Sequence, residues 1–483
     1  MNSDENGKFR SDLSSSELDA IQLSKPQFIK GLILFLISSA IAIFVFFFNL
    51  TIDGESQIVF GFLFGWLLDL LGYAGYWIIS AILAGNLLAN IYASYIDKGK
   101  RHPKLAEFYS EDNWIYTVLF LIGTIYVVVY ALHITVPGFV GPEFIVGDAT
   151  GGEVIQFIVL GVLGIILVGA IFMPFLINYG IIELIGSLLE PLMRPLFKVP
   201  GKAALDAVAS FLTSSSLAVL ITNRLWRQRV YTEREAVAVT TCFSTVSVGF
   251  AYLVISTAEM SHMFFTIFAV SFVIAFIMAA IVIRIPPISR KRNVYLDGRE
   301  QTDEDRKGEA KFDSKILARG TSRAIKRAYT AKPLHTEIGS SLVGGMRVLP
   351  KVLTMISAVG VSAMILAEYT PIFNWLGLIF QPMIQVLGIS NAAEIAPSMP
   401  VGIAEMFLPV LLMAGQEGVY ISEQARFFVC VVSMVQVIFF SETASVMLAT
   451  KLPINVKQLF ICFFQRTIIA MPLAAIAAHI FVR

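Results

Sequence analysis

The sequence predicts an all-α polytopic membrane protein made of two inverted repeats with re-entrant hairpins and broken helices, about nine full spans by bilayer thickness. Three observations predict it. Of 483 residues, 56% are hydrophobic and only 15% charged, with a mean hydropathy of +0.74, whereas soluble globules carry nearer a quarter charged residues. Two related apolar stretches, 174–258 and 365–450, then repeat the same landmarks in the same order. Glu190-Pro191 answers Gln381-Pro382, and the polar knot Thr213 to Ser216 answers Pro397 to Glu405. Val230-Tyr231-Thr232-Glu233 answers Val419-Tyr420-Ile421-Ser422-Glu423, and Ser244-Thr245-Val246-Ser247-Val248 answers Ser433-Met434-Val435-Gln436-Val437. Finally, these polar residues interrupt the stretches where a simple membrane helix would not tolerate them. Duplication of this kind marks many secondary transporters, whose substrate sites lie where two repeats meet.

A spanning helix needs about 20 mostly apolar residues. That predicts spans over 28–50, 73–96, 114–136, 153–177, 235–258, 262–284, 348–369, 424–450 and 456–480. Residues 1–27 are polar and carry both signs of charge, and the apolar run behind them is too long for a signal-peptide core, so it reads as an uncleaved first span. Short loops rich in Lys and Arg stay cytoplasmic. Lys98, Lys100, Arg101 and Lys104 therefore put the loop after the second span inside, while 51–57 and 137–152, with only acidic charges, lie outside. The N-terminus is then cytoplasmic. The stretch 58–72 is expected along the interface, because 58–96 is too long for one ordinary span.

Two apolar segments behave differently. Arg194, Lys198 and Lys202 precede 203–223, and Arg224, Arg227, Arg229 and Arg234 follow it. A single crossing would export one basic cluster, whereas a hairpin that dips in and returns exports neither. Between Glu368 and Gln424 there is no Lys or Arg at all, so 394–416 reads as the mirror hairpin, entering from outside. Pro397, Pro400, Gly402 and Pro409 break it repeatedly, since proline removes a helix donor and clashes with the preceding turn. With both counted as hairpins, an odd number of crossings separates the repeats, and the second is inverted. The expected organisation is a tail 1–27, scaffold spans 28–150, a first repeat 151–284, a charged, solvated cytoplasmic linker 285–347 with a helix near 314–329, and a second repeat 348–483. Segments 180–196 and 371–388 read as amphipathic interfacial helices.

Ionisable side chains at bilayer depth cost about 2.5–3.5 kcal/mol each, so each one in a span points to function. Glu405 in the outer hairpin and Glu442 in Phe439-Phe440-Ser441-Glu442-Thr443-Ala444-Ser445 are the best placed. The hydroxyl clusters Thr213 to Ser216 and Thr240, Thr241, Ser244, Thr245 and Ser247 are matched by Ser433, Gln436 and Ser441 in the second repeat and read as a cavity lining. Gln436 offers one donor and one acceptor face, suited to an amide or ring edge. Apart from Arg466, every basic residue of the repeats sits in loops or near span ends, so two acidic groups would need a coupling ion or a cationic solute. Net charge is +1, without the basic patch of a nucleic-acid binder. Cys242, Cys430 and Cys462 lie in apolar segments as small hydrophobes, the five histidines form no ligand spacing, and there is no phosphate-binding G-x-x-x-x-G-K-[ST] motor.

On the Glu190-Pro191 helix, the Thr213 to Ser216 hairpin and the Phe439 to Ser445 break, the chain resembles the nucleoside-recognition or Gate-domain membrane proteins over roughly 155–480, with two such domains. The wider group includes concentrative nucleoside transporters, the membrane part of a GTP-driven ferrous-iron transporter and spore-maturation proteins. In the nucleoside transporters, two inverted hairpins and two broken helices hold a nucleoside and a coupling sodium ion. That resemblance implies substrate contacts at Ser214 and Ser215 on the first hairpin, Glu405 in the second, and Glu442 with Ser445 on the broken helix. Gln436 and Ser441 join them as lining residues. It places the coupling ion between Thr213 and Ser244, with Ser247 beside them. The chain departs from that pattern where hydroxyls replace a glutamine- and glutamate-bearing hairpin and Glu442 stands where an asparagine is usual, so solute identity does not carry over.

The reading is a secondary active transporter, not an enzyme, that moves a nucleoside-like solute, amino acid or short peptide across a bacterial inner membrane, coupled to Na+ or H+ and without a resident cofactor. Its expected partners are the lipid bilayer, the solute and further copies of itself in a homo-oligomer, with no nucleic acid. The competing class is a non-transporting Gate-domain scaffold or accessory subunit.

Overall fold

The computed structural model describes residues 15–52, 54–110, 112, 114–152, 154–210, 215–243, 246–302, 313–416, 418–450 and 452–482. Helices dominate, as the apolar composition requires: backbone groups at bilayer depth must be satisfied within the segment that carries them. The N-terminal helices are α1 (Ser15–Ala20), α2 (Lys25–Phe47), α3 (Val59–Ile91), α4 (Trp114–Thr135) and α5 (Leu160–Ile177). A small antiparallel hairpin, β1 (Asn49–Ile52) with β2 (Glu55–Ile58), joins α2 to α3. Within α3, Gly72 adopts φ 44° and ψ −136°, which divides the long apolar run into two helical pieces. Only glycine takes such a backbone conformation without strain.

Two further sets of helices follow along the chain. The first set is α6 (Ile181–Phe197), α7 (Ala203–Ser210), α8 (Ser215–Arg227), α9 (Glu233–Phe243), α10 (Val248–Thr257) and α11 (Phe264–Val282). Between the sets lie α12 (Ile316–Thr330) and α13 (Leu334–Tyr369). The second set is α14 (Ile372–Gly377) and α15 (Gln381–Val386), then α16 (Ala392–Ile395), α17 (Ser398–Val401) and α18 (Leu408–Ala414), then α19 (Glu423–Gln436), α20 (Thr443–Ala449) and α21 (Val456–Phe481). The two arms α7 and α8, of 8 and 13 residues, lie against each other. At 1.5 Å per residue neither reaches the roughly 30 Å of a hydrocarbon core.

Among the described residues, seven helices are long and apolar enough to cross a membrane, eight if the bent pair α9 and α10 is one crossing. The chain is a multi-pass integral membrane protein. Two expected spans are interrupted: 235–258 is the bent pair α9 and α10, and 424–450 is two helices, since α19 stops at Gln436 and α20 starts at Thr443, within the break expected over Phe439 to Ser445. The span expected over 348–369 is also longer, since α13 begins at Leu334 and takes in the end of the charged linker.

Contacts divide the chain into two compact units. The first comprises Met1–Phe60, Leu167–Gly249 and Ala275–Gly345. Here the linker helix α12 corrects the expectation of a solvated connector: it packs against both α2 and α6. Its Ala324, Ala328 and Ala331 meet Phe35 and Tyr179 in an apolar cluster. Close approach depends on small residues, for a Cβ on Gly180, at φ 105°, would sit 2.4 Å from the Ala324 carbonyl oxygen. The polar face of α12 is anchored too. Arg323 forks onto Asp19 (Nε to Oδ1 2.9 Å, Nη2 to Oδ2 2.6 Å) and reaches Glu190 Oε2 at 2.9 Å. Arg327 donates to the buried carboxylate of Glu183. The fork holds the Asp19 carboxyl below its ordinary range, chiefly through the hydrogen bond from Arg323.

The second unit comprises Gly61–Ile166, Phe250–Ile274 and Met346–Arg483. Its scaffold end buries a polar cluster: Asn86 donates to Thr354 at 3.1 Å and accepts from the Tyr109 hydroxyl at 2.8 Å. Lys351 pairs with Asp112 at 2.9 Å and lies over the rings of Phe108 and Tyr109. The rest of the unit is built on α19, which packs along α21 and against α17 and α18.

Candidate functional site

In the second unit, the short helices α17 and α18 and the interrupted pair α19 and α20 form one continuous polar seam. The chain from Ser398 to Ala414 cannot remain one helix, because Pro397, Pro400 and Pro409 remove donors and Gly402 lowers helix propensity. The break in the following helix has a different origin. Val437 takes φ 67°, a left-handed backbone that is an outlier for a β-branched residue and persists only where its surroundings enforce it.

The two non-helical segments satisfy each other. Phe440 N donates to Ile403 O at 2.8 Å and Ser441 N to Ala404 O at 3.0 Å, two backbone hydrogen bonds that join hairpin and break. Side chains extend the seam in both directions. The Ser441 hydroxyl donates to Glu405, whose other carboxylate oxygen accepts from Phe407 N at 3.3 Å. Ser433 donates to Met406 O, and Gln436 Nε2 donates to Met399 O at 2.9 Å and to Thr467 Oγ1 at 3.0 Å. Glu405 is 1% exposed and Gln436 1%. Burying such groups is costly unless each is hydrogen-bonded. Ser398 Oγ breaks that rule, and so does Gln436 Oε1, which is buried without a hydrogen-bond partner among the described residues. It lies against Gly402, where a Cβ would come within 2.0 Å of it.

The residues singled out from sequence divide accordingly. Glu405, Gln436 and Ser441 come together in this seam, and Ser433 with them. Glu442 is half-buried at the last residue before α20, and Ser445, on the first turn of α20, donates back to Phe440 O. Ser247 is half-buried in the interruption just before α10. Thr213, Ser214 and Ser244 lie outside the described residues, and Ser215 opens α8. Glu190, a carrier of the family resemblance, is tied to Arg323 in an ion pair.

Sequence reasoning passed over two groups, Thr443 and Glu235, and named a third, Arg466, only as an exception. Arg466 is fully buried on α21 and donates to Val435 O and Gln436 O at the end of α19. It is thus the exception that the sequence allowed to a region free of basic groups. Thr443 bridges the break, donating to Val437 O at 2.9 Å. Glu235, 1% exposed, accepts from Thr232 N at 2.9 Å and pairs with Arg194 at 2.6 Å. The sequence Thr232-Glu233-Arg234-Glu235 carried that signal as a capping box.

Comparison with known proteins places the chain. The Gate family profile, described as nucleoside recognition, matches residues 159–285. An uncharacterised protein of Alkalihalophilus pseudofirmus is 34% identical over 433 residues, covering 85% of this chain and 91% of the relative. Among solved structures, CNTnw in an inward-facing substrate-bound state matches at 12% identity and a TM-score of 0.43, covering 94% of this chain and 99% of that one. A CNTnw variant in an intermediate state matches at 13% identity and a TM-score of 0.45, covering 94% and 100%. With a relative at this identity matched over 91% of its length and the Gate profile over residues 159–285, the chain belongs to the Gate, or nucleoside-recognition, family of membrane proteins.

Proposed function

We propose that the chain is a secondary active transporter that carries a small polar solute, nucleoside-like, amino acid or short peptide, across a bacterial inner membrane by alternating access, coupled to Na+ or H+. The observation that carries the reading is the seam of the second unit, where a broken hairpin and a broken helix pair backbone to backbone around the buried Glu405. Non-helical backbone at membrane depth serves cavities and ion or substrate paths, and discontinuous helices are the usual walls of transporter sites. Glu405, Gln436 and Glu442 make the seam rich in acceptors, which suits a solute bearing N–H or O–H donors. Ser441 and Ser445 line it; Ser214 and Ser215 as solute contacts, and Thr213, Ser244 and Ser247 as ligands of the coupling ion, belong to the same proposal. The basic flanks of α7 and α8 against the flanks of α16 to α18, which hold no Lys or Arg, support the two sets of elements being inverted, with the N-terminus cytoplasmic.

The test is uptake by purified protein in liposomes against nucleosides, amino acids and short peptides, under separate sodium and proton gradients. At least one class should accumulate above protein-free liposomes under one gradient, and Glu405→Gln should need about tenfold more solute for the same uptake. Folded protein that accumulates none of them, and whose unfolding midpoint none of them shifts, would leave the scaffold reading in its place.

A further inference from the structure

Building on the transport reading for its purpose, though not for its test, we propose that the Arg466 guanidinium is a resident cation of the second break. It occupies the carbonyls that an exchangeable ion would otherwise coordinate, so no coupling ion binds there.

The argument starts from the end of α19. A helix C-terminus leaves its last carbonyls without intrahelical donors and carries partial negative charge. In broken transporter helices those carbonyls commonly hold Na+ or H+. Here the last two carbonyls of α19, and three in the break beyond it, meet protein donors. Val435 O accepts from Arg466 Nε at 3.0 Å and Nη2 at 2.7 Å. Gln436 O accepts from Arg466 Nε at 3.0 Å and from Ile438 N at 2.8 Å. Val437 O accepts from Thr443 Oγ1 at 2.9 Å, Phe439 O from Ala444 N at 3.0 Å, and Phe440 O from the Ser445 hydroxyl. Arg466 is 0% exposed, the largest fully buried side chain of the chain's described residues. A buried cation is stable only when paired or hydrogen-bonded, and the carbonyl cluster supplies that pairing.

Guanidinium suits the place better than a free ion. Its planar fork bridges two successive carbonyls and cannot lose its proton at any working pH. Being tethered to α21, it also pins the C-terminus of α19, where the strained Val437 would otherwise relax. Arg466 is thus a positioning residue: it fixes the geometry of the break that presents Ser441 and Glu442.

The experiment measures the unfolding midpoint of the purified full chain in detergent in sodium chloride and in N-methylglucamine chloride at equal ionic strength. Arg466→Met vacates the carbonyls without removing side-chain volume, so the sodium-minus-methylglucamine difference should become larger than in wild type. Arg466→Lys should suppress that gain, and guanidinium chloride at low millimolar concentration should restore Arg466→Ala more than equal sodium chloride does. A merely structural arginine would lower the midpoint but create no new response to cations. Equal cation responses in wild type and Arg466→Met overturn the proposal. If the neutral variants do not fold while Arg466→Lys does, the break requires positive charge and the proposal stands; if Arg466→Lys fails with them, it falls. No solute enters the assay, so absent uptake beside a gained sodium response would sink the transport reading alone.

Discussion

The Ser441 hydroxyl donates to the Glu405 carboxylate, joining the break of the second interrupted helix to the hairpin that precedes it. Ser441→Ala removes that donor and leaves a buried carboxylate oxygen unsatisfied, a loss of about 1–3 kcal/mol. Its unfolding midpoint should fall. Glu405→Gln keeps an acceptor for Phe407 N and should hold the midpoint close to wild type while weakening solute binding about tenfold, as for one charge-assisted hydrogen bond of about 1.4 kcal/mol. Calorimetric titration beside thermal unfolding separates the two.

Gly402 is the close-approach residue of the seam, since a Cβ there would lie 2.0 Å from Gln436 Oε1. Gly402→Ala should cost about 1–3 kcal/mol through overpacking. Gln436→Ala in the same chain should recover part of that loss, and the recovery is the measured coupling of a double-mutant cycle. Strictly additive losses would mean that the two residues do not meet.

In the first unit, Arg327→Met leaves Glu183 as a buried charge without its guanidinium, a cost of about 3–5 kcal/mol. The double substitution Arg327→Met with Glu183→Met should be far milder than either single one. Thermal unfolding of the three variants decides it.

The fork from Arg323 lowers the Asp19 carboxyl below its ordinary 3.8. Docking of α1 on α12 therefore gains stability above that ordinary value and loses it as pH falls through the lowered folded value. Proteolysis around Ser15–Ala20 should accelerate in acid, and Asp19→Asn should cleave fast at every pH.

The two hairpins of the transport reading open to opposite sides. Single cysteines at the exposed Lys202 and Arg227 should react only with reagent from the cytoplasmic face. One at Tyr420, 81% exposed, should react only from outside. Opposite accessibility of Lys202 and Arg227 would rule out the re-entrant arm.

How much of this was readable beforehand depended on the kind of interaction. Spans announced themselves by length and apolarity, which is why helices such as Trp114–Thr135 fall within a residue of the expected bounds. Proline and glycine announced the second hairpin. The polar run Phe439 to Ser445 announced the break, but its start at Val437 was less legible: valine favours neither a turn nor a left-handed backbone, and the break rests on donors from Arg466 and Thr443 that lie distant or unremarkable in sequence. For the same reason α12 looked solvated. Its arginines are ordinary linker charges until Asp19, Glu183 and Glu190 are brought to them by the fold.

The partners that seat α12 are also far apart in the order of synthesis. Glu183 leaves the ribosome 144 residues ahead of Arg327, and Asp19 leads Arg323 by 304. Until the linker emerges, α6 holds a carboxylate destined for burial with nothing to neutralise it, and the tail ahead of α2 has no surface to dock on. Insertion of the early helices and completion of the first unit are therefore separate events in biogenesis. A nascent chain stalled before residue 316 should present Glu183 to water and its N-terminal tail to protease, and one stalled beyond residue 345 should protect both.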